Sequence, residues 1–454
     1  MPTASGAELP PTKITLYPQG ESKPALKLRL LPDFTDRIDG NAVVYLGMVK
    51  SEENKFFGNR ELRDNIDRWQ KEPLEKLREQ KNFLRSSSSG PLYYIEQAAR
   101  CNHTDWQLPI GREAYFDMRL PAIQESRQFG RILAAHGRIE LAHGNFDVAI
   151  KDYRNAFGIG RHIASNETLV GGLVGIAICD VCASRQIETY VQQAGAPNLY
   201  WALANLPVPL IDLRDAVDAE LHGVELTFPE VHDLEHINLT PQQWRERLLS
   251  LMKKAHAISD EKEWELNWAP SSKDLDEVIP RILPQAKQYL IERGASPEEI
   301  EKMADAQIIL IDVVKRNVEM RQEAAKWFPL PYPVASKGLL AANERAKQQR
   351  KEGRDIAPLP QLSVGPLYVC RRAQVRLDRQ IAALRVLEAL RIHAAAHDGR
   401  LPDQLADIIE VPIPNDPVSE QPFEYRLKDG TAVLTGPELT DAPLMYEITI
   451  AKSP

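Results

Sequence analysis

Residues 143–157, HGNFDVAIKDYRNAF, carry the most regular spacing of glycine, aromatic and alanine residues in the chain. Residues three or four positions apart lie on one face of an α-helix, so the pattern predicts two helices joined by a glycine turn. Small residues let the two helices approach closely, and aromatic residues fill the groove beside them. The six positions that carry this prediction are Gly137, Gly144, Phe146, Ala149, Tyr153 and Ala156.

The spacing of these six positions resembles that of the tetratricopeptide repeat (TPR), over residues 129–162. The segment departs from the repeat at three positions: Leu133 stands where tryptophan is common, Glu140 where an aromatic residue is common, and Arg161 where proline often ends the unit. The resemblance implies a divergent α-solenoid that binds a protein or peptide on a concave helical surface. The alternative is a helical hairpin without a partner.

Helical periodicity continues on both sides of this hairpin, so the predicted fold is mostly α, with TPR-like helical hairpins or an α-solenoid. Three short β-prone segments near the C-terminus predict a small α+β cap with an antiparallel sheet. Near the N-terminus, short alternating segments predict an extended arm or edge strands outside the core. The predicted organisation is an arm at 1–35, a helical TPR-like domain at 36–228, a second helical region at 229–358, and a long helix with a small β cap at 359–454.

The C-terminal part has a second resemblance, over residues 383–436, to the distal part of type II secretion pseudopilins. In that pattern a helix ends at a glycine, a proline-containing turn follows, and the chain then enters a small sheet. The resemblance implies a reused structural cap, because arginines stand where a pseudopilin has its membrane-inserting segment. As a whole the chain resembles uncharacterised exported bacterial proteins. The matching residues are Gly399, Arg400, Pro402, Leu405, Asp416, Pro417, Pro422, Phe423 and Tyr425, and the arginines are Arg371, Arg372, Arg376 and Arg379.

Composition limits the classes of partner. The 454 residues are 43% hydrophobic and 26% charged, which is typical of globular domains, and the net charge of −8 argues against a nucleic-acid partner. No segment has the ~20 consecutive apolar residues of a membrane-spanning helix, so no transmembrane segment is predicted. The small residues at 4–7 are compatible with an exported protein, periplasmic or in the cell envelope, whose signal peptide is absent from this chain. A cytoplasmic location and any oligomeric state stay open.

One segment matches a zinc-peptidase signature. Residues 232–236, HDLEH, have the form H-x-x-E-H, in which two histidines on one helical face bind zinc and the glutamate acts as general base. His232, Glu235 and His236 are therefore a weak alternative metal site, with Glu319 or Glu323 as a third ligand. We favour exposed polar residues, because the prolines around the segment leave little room for a helix, and we predict no metal and no cofactor.

The remaining candidates have structural explanations. Cys179 and Cys182 form a C-x-x-C inside an apolar helical segment, which favours core packing over redox chemistry or a zinc site, and their redox state stays open. The aromatic residues Tyr200, Trp201 and Trp244 are candidate anchors for a partner, although core burial is the alternative for each. The leading hypothesis is a non-enzymatic protein-binding scaffold; the alternatives are a zinc-dependent hydrolase and a component of a bacterial envelope or secretion assembly.

Overall fold

The computed structural model describes residues 10–56, 60–80, 90–258, 271–351, 359, 364–437, 439 and 443–451. Within these residues the fold is mostly helical and has a small C-terminal sheet, which confirms the prediction at this level. The small residues at 4–7, on which the expectation of export depended, lie outside the described residues. No helix in the described part of the chain is both long and apolar enough to cross a membrane.

Helices follow one another with short connections through most of the chain. Those before residue 230 are α1 (Ala42–Phe56), α2 (Arg60–Trp69), α3 (Leu74–Leu77), α4 (Pro91–Arg100), α5 (Pro121–Glu125), α6 (Arg127–Ala142), α7 (Phe146–Ala164), α8 (Leu169–Cys179), α9 (Arg185–Tyr190), α10 (Tyr200–Ala204), α11 (Arg214–Leu221) and α12 (Gly223–Thr227). Those after it are α13 (Pro241–Ile258), α14 (Ser272–Glu292), α15 (Pro297–Lys302), α16 (Asp305–Ala325), α17 (Tyr332–Lys351) and α18 (Gly365–Ala396).

Shorter elements complete the fold. Single 3-10 turns lie at Phe34–Asp36, Arg78–Gln80, Tyr115–Asp117, Pro229–Val231 and Leu405–Asp407, and a π-helical segment, Asp180–Ser184, joins α8 to α9. The strands are β1 (Thr12–Leu16), β2 (Ile38–Asn41), β3 (Cys101–His103), β4 (Asn415–Asp416), β5 (Gln421–Pro422), β6 (Glu424–Lys428), β7 (Thr431–Thr435) and β8 (Met445–Ile450).

The predicted helical hairpin is formed by α6 and α7. Gly144 lies in the turn with a φ of +76°, in the left-handed region that glycine adopts at little cost. At Gly137, a Cβ atom would lie 3.3 Å from the ring of Tyr153, so the ring would have to shift by a few tenths of an ångström to accept a larger residue. The glycine at this position therefore allows close contact between α6 and α7.

The inner face of the hairpin is buried. Ala149, Tyr153 and Ala156 are fully buried. Phe146 and Tyr153 both contact Tyr190 edge-on, with ring centroids 5.8 and 6.2 Å apart. Because Tyr190 lies at the end of α9, these aromatic contacts join the hairpin to the next helical segment.

Glycines also bring α7 and α8 together. A Cβ atom at Gly175 would collide with the backbone carbonyl of Gly160, so the backbones of the two helices are in direct contact. Thr168 is the N-cap of α8, and its hydroxyl accepts a hydrogen bond from the backbone N–H of Gly171 at 3.0 Å. These contacts fix the position of the first turn of α8, which lines the main cavity described below.

The long helix α18 contains a buried ion pair. The side chains of Glu388 and Arg391 are completely buried and lie 2.9 Å apart. Glu388 accepts hydrogen bonds from the Asn198 side chain at 2.6 Å and from the backbone N–H of Leu199 at 3.0 Å, while Arg391 donates to the carbonyl of Tyr17 at 3.0 Å. The pair thus connects α18 to the start of α10 and to the N-terminal segment.

The C-terminal sheet has the strand order β1-β8-β7-β6. Strands β6, β7 and β8 are antiparallel, as predicted, but β1 pairs with β8 in parallel, so the sheet is mixed and the prediction of an antiparallel sheet is corrected. Ile14 and Leu16 of β1 are buried, so this part of the predicted arm is an edge strand that contributes to the core. The alternating sequence of β1 places its apolar residues on one face of the strand, and this face is buried because β1 pairs with β8.

Helices α12 to α16 surround a second hydrophobic core. Trp244 of α13 is 2% exposed in it, together with Phe228 and Leu248. The short helix α15 begins with a capping box, in which Ser296 and Glu299 satisfy each other's backbone N–H groups. The helices of this region therefore have their own apolar contacts in addition to those they make with α11 and α17.

Candidate functional site

Two of the three predicted aromatic anchors are core residues. Tyr200 is completely buried, with its hydroxyl donating to the carbonyl of Pro412, and Trp244 is 2% exposed. Trp201 is partly buried, and its indole N–H donates to Glu21 at 2.6 Å. Packing within the chain covers the rings of Tyr200 and Trp244, as the alternative of core burial expects, and their role as anchors stays a prediction.

The H-x-x-E-H segment does not form a helix. Residues 232–236 are a turn in which Asp233 has a φ of +52°, so the two histidines do not share a helical face. His232 bonds through Nε2 to the carbonyl of Glu225 at 2.8 Å, and Glu235 forms an ion pair with Lys315 at 2.6 Å. Among the described residues, the groups that could hold a metal do not include this segment. The weak alternative of a zinc site at His232, Glu235 and His236 is corrected accordingly.

The C-x-x-C segment lies where α8 meets the π-helical segment. Cys179 ends α8 and is completely buried. It packs closely against α7, because a Cβ atom at Gly160 would collide with its sulfur. The side chain of Cys182 lies outside the described residues. For Cys179 the geometry matches the expected core packing.

A large cavity lies between the first turn of α8, the start of α18 and α17. Its volume is about 1180 Å³, and most of its lining is apolar. The lining residues come from five separate parts of the chain: Tyr115, Phe116, Met118 and Leu120; Thr168, Leu169, Val170 and Leu173; Glu220; Asn343, Ala346 and Lys347; and Gly365, Pro366, Val369 and Cys370. We call this space the apolar cavity.

The apolar cavity contains one buried carboxyl group, that of Glu220 on α11. Glu220 is 6% exposed, and burial raises its pKa to about 8, against the opposing effects of Tyr115 and Arg321. The Tyr115 hydroxyl lies 3.3 Å from Oε2 of Glu220 and 3.1 Å from the carbonyl of Glu167. At neutral pH the Glu220 side chain is therefore mostly protonated, and this wall of the cavity carries no charge.

The thiol of Cys370 is a second buried group in the cavity wall. Burial, and then the nearby Glu220, raise its pKa to about 12, so the thiol stays protonated at neutral pH. A reactive cysteine needs a lowered pKa, so Cys370 is unsuited to nucleophilic chemistry. The cavity thus offers shape and apolar surface, and its buried lining residues include Tyr115, Thr168, the neutral acid Glu220 and the protonated thiol of Cys370.

A second cavity, of about 730 Å³, has a more polar lining. Burial lowers the pKa of Arg161 in its wall, and the positive charge of Arg37 lowers it further. His162 has a pKa lowered to about 4, first by burial and then by Arg161, and is neutral at physiological pH. We call this space the basic cavity; Arg100, Arg214 and Asp212 also line it, and Arg214 is paired with Asp212.

Sequence reasoning does not identify either cavity. Glu220 and Tyr115 are separated by 105 positions, and neither belongs to a motif. The only sequence signal near the apolar cavity is the small-residue pattern of α8, which predicts close packing and not a ligand site. Side chains of this kind become a site only through tertiary contacts.

Comparisons of the chain with protein-family models, with curated proteins and with solved structures give no match. The TPR-like and pseudopilin-like interpretations consequently rest on the sequence positions given above and stay predictions.

Proposed function

We propose that the protein is a non-enzymatic helical scaffold that binds an apolar segment of a protein or peptide partner in the apolar cavity. The observation that carries this proposal is the combination of the cavity's size, about 1180 Å³, with its apolar lining. Small-molecule pockets are typically ~300–1000 Å³, so this cavity has room for several side chains of a peptide.

The rim of the cavity supports the same function. Val170 on α8 and Val369 on α18 line the cavity and are 38% and 45% exposed. Exposed aliphatic side chains beside an apolar space are what a peptide's apolar anchors would contact. Lys347 is exposed on the side of the cavity formed by α17 and forms an ion pair with Glu344 at 2.9 Å, so its charge gives no preference between an acidic and a basic partner.

Support for the TPR-like interpretation comes from the α6–α7 hairpin and its neighbour. Gly137 lies in close contact with Tyr153, and Phe146 and Tyr153 both pack on Tyr190 of the following segment. Packing of a hairpin on the next helical segment is the construction principle of helical repeats. Support for a pseudopilin-like cap comes from Tyr425, whose hydroxyl donates to the carbonyl of Pro402 at 2.9 Å.

The test is selection of short random peptides on the wild-type protein, followed by measurement of their affinity by fluorescence polarisation. Val369→Glu introduces a carboxylate at the rim of the cavity, where burying it under a bound peptide costs at least ~1.4 kcal/mol, or about tenfold in affinity. Val334→Glu is the matched control, because Val334 is 48% exposed, lies on α17 and does not line the cavity.

We expect the selected peptides to be rich in apolar residues, to lose tenfold or more in affinity for Val369→Glu, and to bind Val334→Glu as they bind the wild type. Equal binding to Val369→Glu and the wild type would overturn the proposal, as would equal losses in the two variants. Both positions are exposed, so circular dichroism is expected to show the same helix content in all three proteins.

A second candidate function, binding of an anionic group, is favoured by the basic cavity. The repulsion between Arg37 and Arg161 would be relieved by an anion bound between them. Inorganic phosphate should then raise the thermal midpoint of the wild type and of Arg112→Gln, an exposed control, but not that of Arg161→Gln. The same shift in Arg161→Gln would exclude this site. Membership of an envelope or secretion assembly stays a prediction.

A further inference from the structure

Two histidines and a glutamate meet where α18 ends. His393 and His397 are four positions apart at the C-terminal end of the helix. The chain reverses at Gly399, which has a φ of +76°, and the following segment brings Glu410 back against both imidazoles. The potential ligand atoms of the three side chains all lie within 4.8 Å of one another.

The distances in this cluster fit a tetrahedral metal ion. Nδ1 of His393 lies 3.5 Å from Oε2 of Glu410, and Nδ1 of His397 lies 3.4 Å from Oε1 of the same carboxylate. Zinc binds nitrogen and oxygen ligands at ~2.0–2.1 Å, so two ligands of a tetrahedral ion are roughly 3.3–3.4 Å apart. The two imidazole rings are stacked and nearly parallel, with centroids 3.9 Å apart, so both rings must rotate out of the stack for their nitrogen lone pairs to converge on one ion.

An independent observation also points to a ligand. His393 is 6% exposed, and its buried Nδ1 makes no hydrogen bond of ordinary geometry with a described residue, although the carboxylate of Glu410 lies 3.5 Å away. Such an unsatisfied buried nitrogen is unfavourable unless it has a partner, and a cation is a suitable partner for a neutral imidazole. Nδ1 of His397 lies 2.9 Å from the carbonyl of His393, so metal binding exchanges that hydrogen bond for a metal bond.

Glu410 is well suited to complete the site. Its side chain is 18% exposed and that of His397 is 47% exposed, so an ion and a water molecule can reach the cluster from solvent.

We propose that His393, His397 and Glu410 bind a divalent cation of the zinc class, with a fourth position open to water. Two imidazoles and one carboxylate suit zinc and its neighbours among the transition metals, whereas magnesium and calcium prefer all-oxygen sites. The bound ion ties the end of α18 to the segment that leads into the C-terminal sheet. The i, i+4 histidines are visible in the sequence, but Glu410 joins them only through the chain reversal.

The experiment uses the full chain after treatment with a chelator. Zinc affinity is measured by competition with a chromogenic chelator, and Co²⁺ is added separately, because its visible spectrum reports the coordination geometry. The test variants are His397→Gln and Glu410→Gln. His236→Gln is the matched control, since His236 is exposed and belongs to the H-x-x-E-H segment.

We expect one zinc per chain in the wild type and in His236→Gln, with a tetrahedral Co²⁺ spectrum. Removing a residue that only supports a metal ligand typically weakens metal binding by ~10–100-fold. Removing a direct ligand should weaken it more, so the zinc affinity of each test variant should fall by at least about 100-fold. Both test variants should keep the wild-type helix content, because His397 lies at the end of the helix and Glu410 in a loop. The proposal is overturned if the wild type binds no zinc, if both test variants bind zinc as tightly as the wild type, or if His236→Gln loses zinc.

Discussion

Replacing Glu220 by glutamine should make the protein less sensitive to alkaline pH. The wild-type carboxyl is 6% exposed and has a pKa of about 8, whereas a glutamate in an unfolded chain has a pKa of ~4.3. Between these two values the folded state binds more protons than the unfolded state, so the stability of the wild type falls as pH rises. Below the lower pKa this contribution is fully present, and above the higher one it is lost.

The magnitude follows from the size of the shift. Each pKa unit corresponds to ~1.4 kcal/mol, so between about pH 5 and about pH 8 the wild type should lose roughly 4 kcal/mol that Glu220→Gln does not lose. The amide introduced by Glu220→Gln keeps an acceptor for the hydroxyl of Tyr115, so the variant should be close to the wild type in stability at about pH 5. Arg321 stabilises the ionised form of the wild-type carboxyl, and its effect is already included in the raised pKa.

The assay is urea denaturation of the wild type, Glu220→Gln and Glu113→Gln at several pH values. Glu113 is exposed, so its variant controls for the loss of one negative charge. Subtracting the wild-type free energy of unfolding from that of Glu220→Gln removes the titration of all other groups. A difference that stays constant within about 1 kcal/mol over this pH range would mean that Glu220 is not held neutral by burial.

Two further substitutions test the packing of the fold. Arg391→Leu leaves the completely buried Glu388 without its cationic partner and should lower the free energy of unfolding, measured by urea denaturation, by about 3–5 kcal/mol. Adding Glu388→Gln should restore part of this loss. An unchanged urea midpoint for Arg391→Leu would contradict the buried ion pair. Gly175→Ala forces α7 and α8 apart at Gly160 and should cost about 1–2 kcal/mol net, since overpacking exceeds the gain in helix propensity. Gly47→Ala, a control with no atom near its Cβ, should instead be neutral or stabilising; equal effects in the two glycine variants would argue against direct backbone contact.

The parts of the fold that the sequence predicts are those encoded locally. The α6–α7 hairpin depends on Gly144 in a left-handed turn and on small residues three and four apart, all within one short segment. The end of α18 is likewise predicted by Gly399, which adopts a positive φ directly after the helix. In these places local preference and tertiary packing agree.

The features that the sequence does not predict depend on contacts between distant positions. Ile14 looks like part of an exposed arm until its pairing with Ile448 is known. The sequence leaves Trp244 open between a partner anchor and a core residue, because a tryptophan in a charged segment gives no sign of which helices will cover it. The H-x-x-E-H segment misleads for a different reason: the spacing of its histidines has meaning only on a helix, and Asp233 adopts a left-handed conformation instead.

The most direct test of the central claim is photo-crosslinking of a selected peptide that carries a photoreactive apolar residue. The bound wild-type protein is irradiated and digested, and the crosslinked positions are identified by mass spectrometry. Crosslinks at Val170, Leu173 and Val369, which line the apolar cavity from two helices, are the predicted result. Crosslinks confined to surfaces away from this cavity would contradict the proposal that the scaffold binds its partner there.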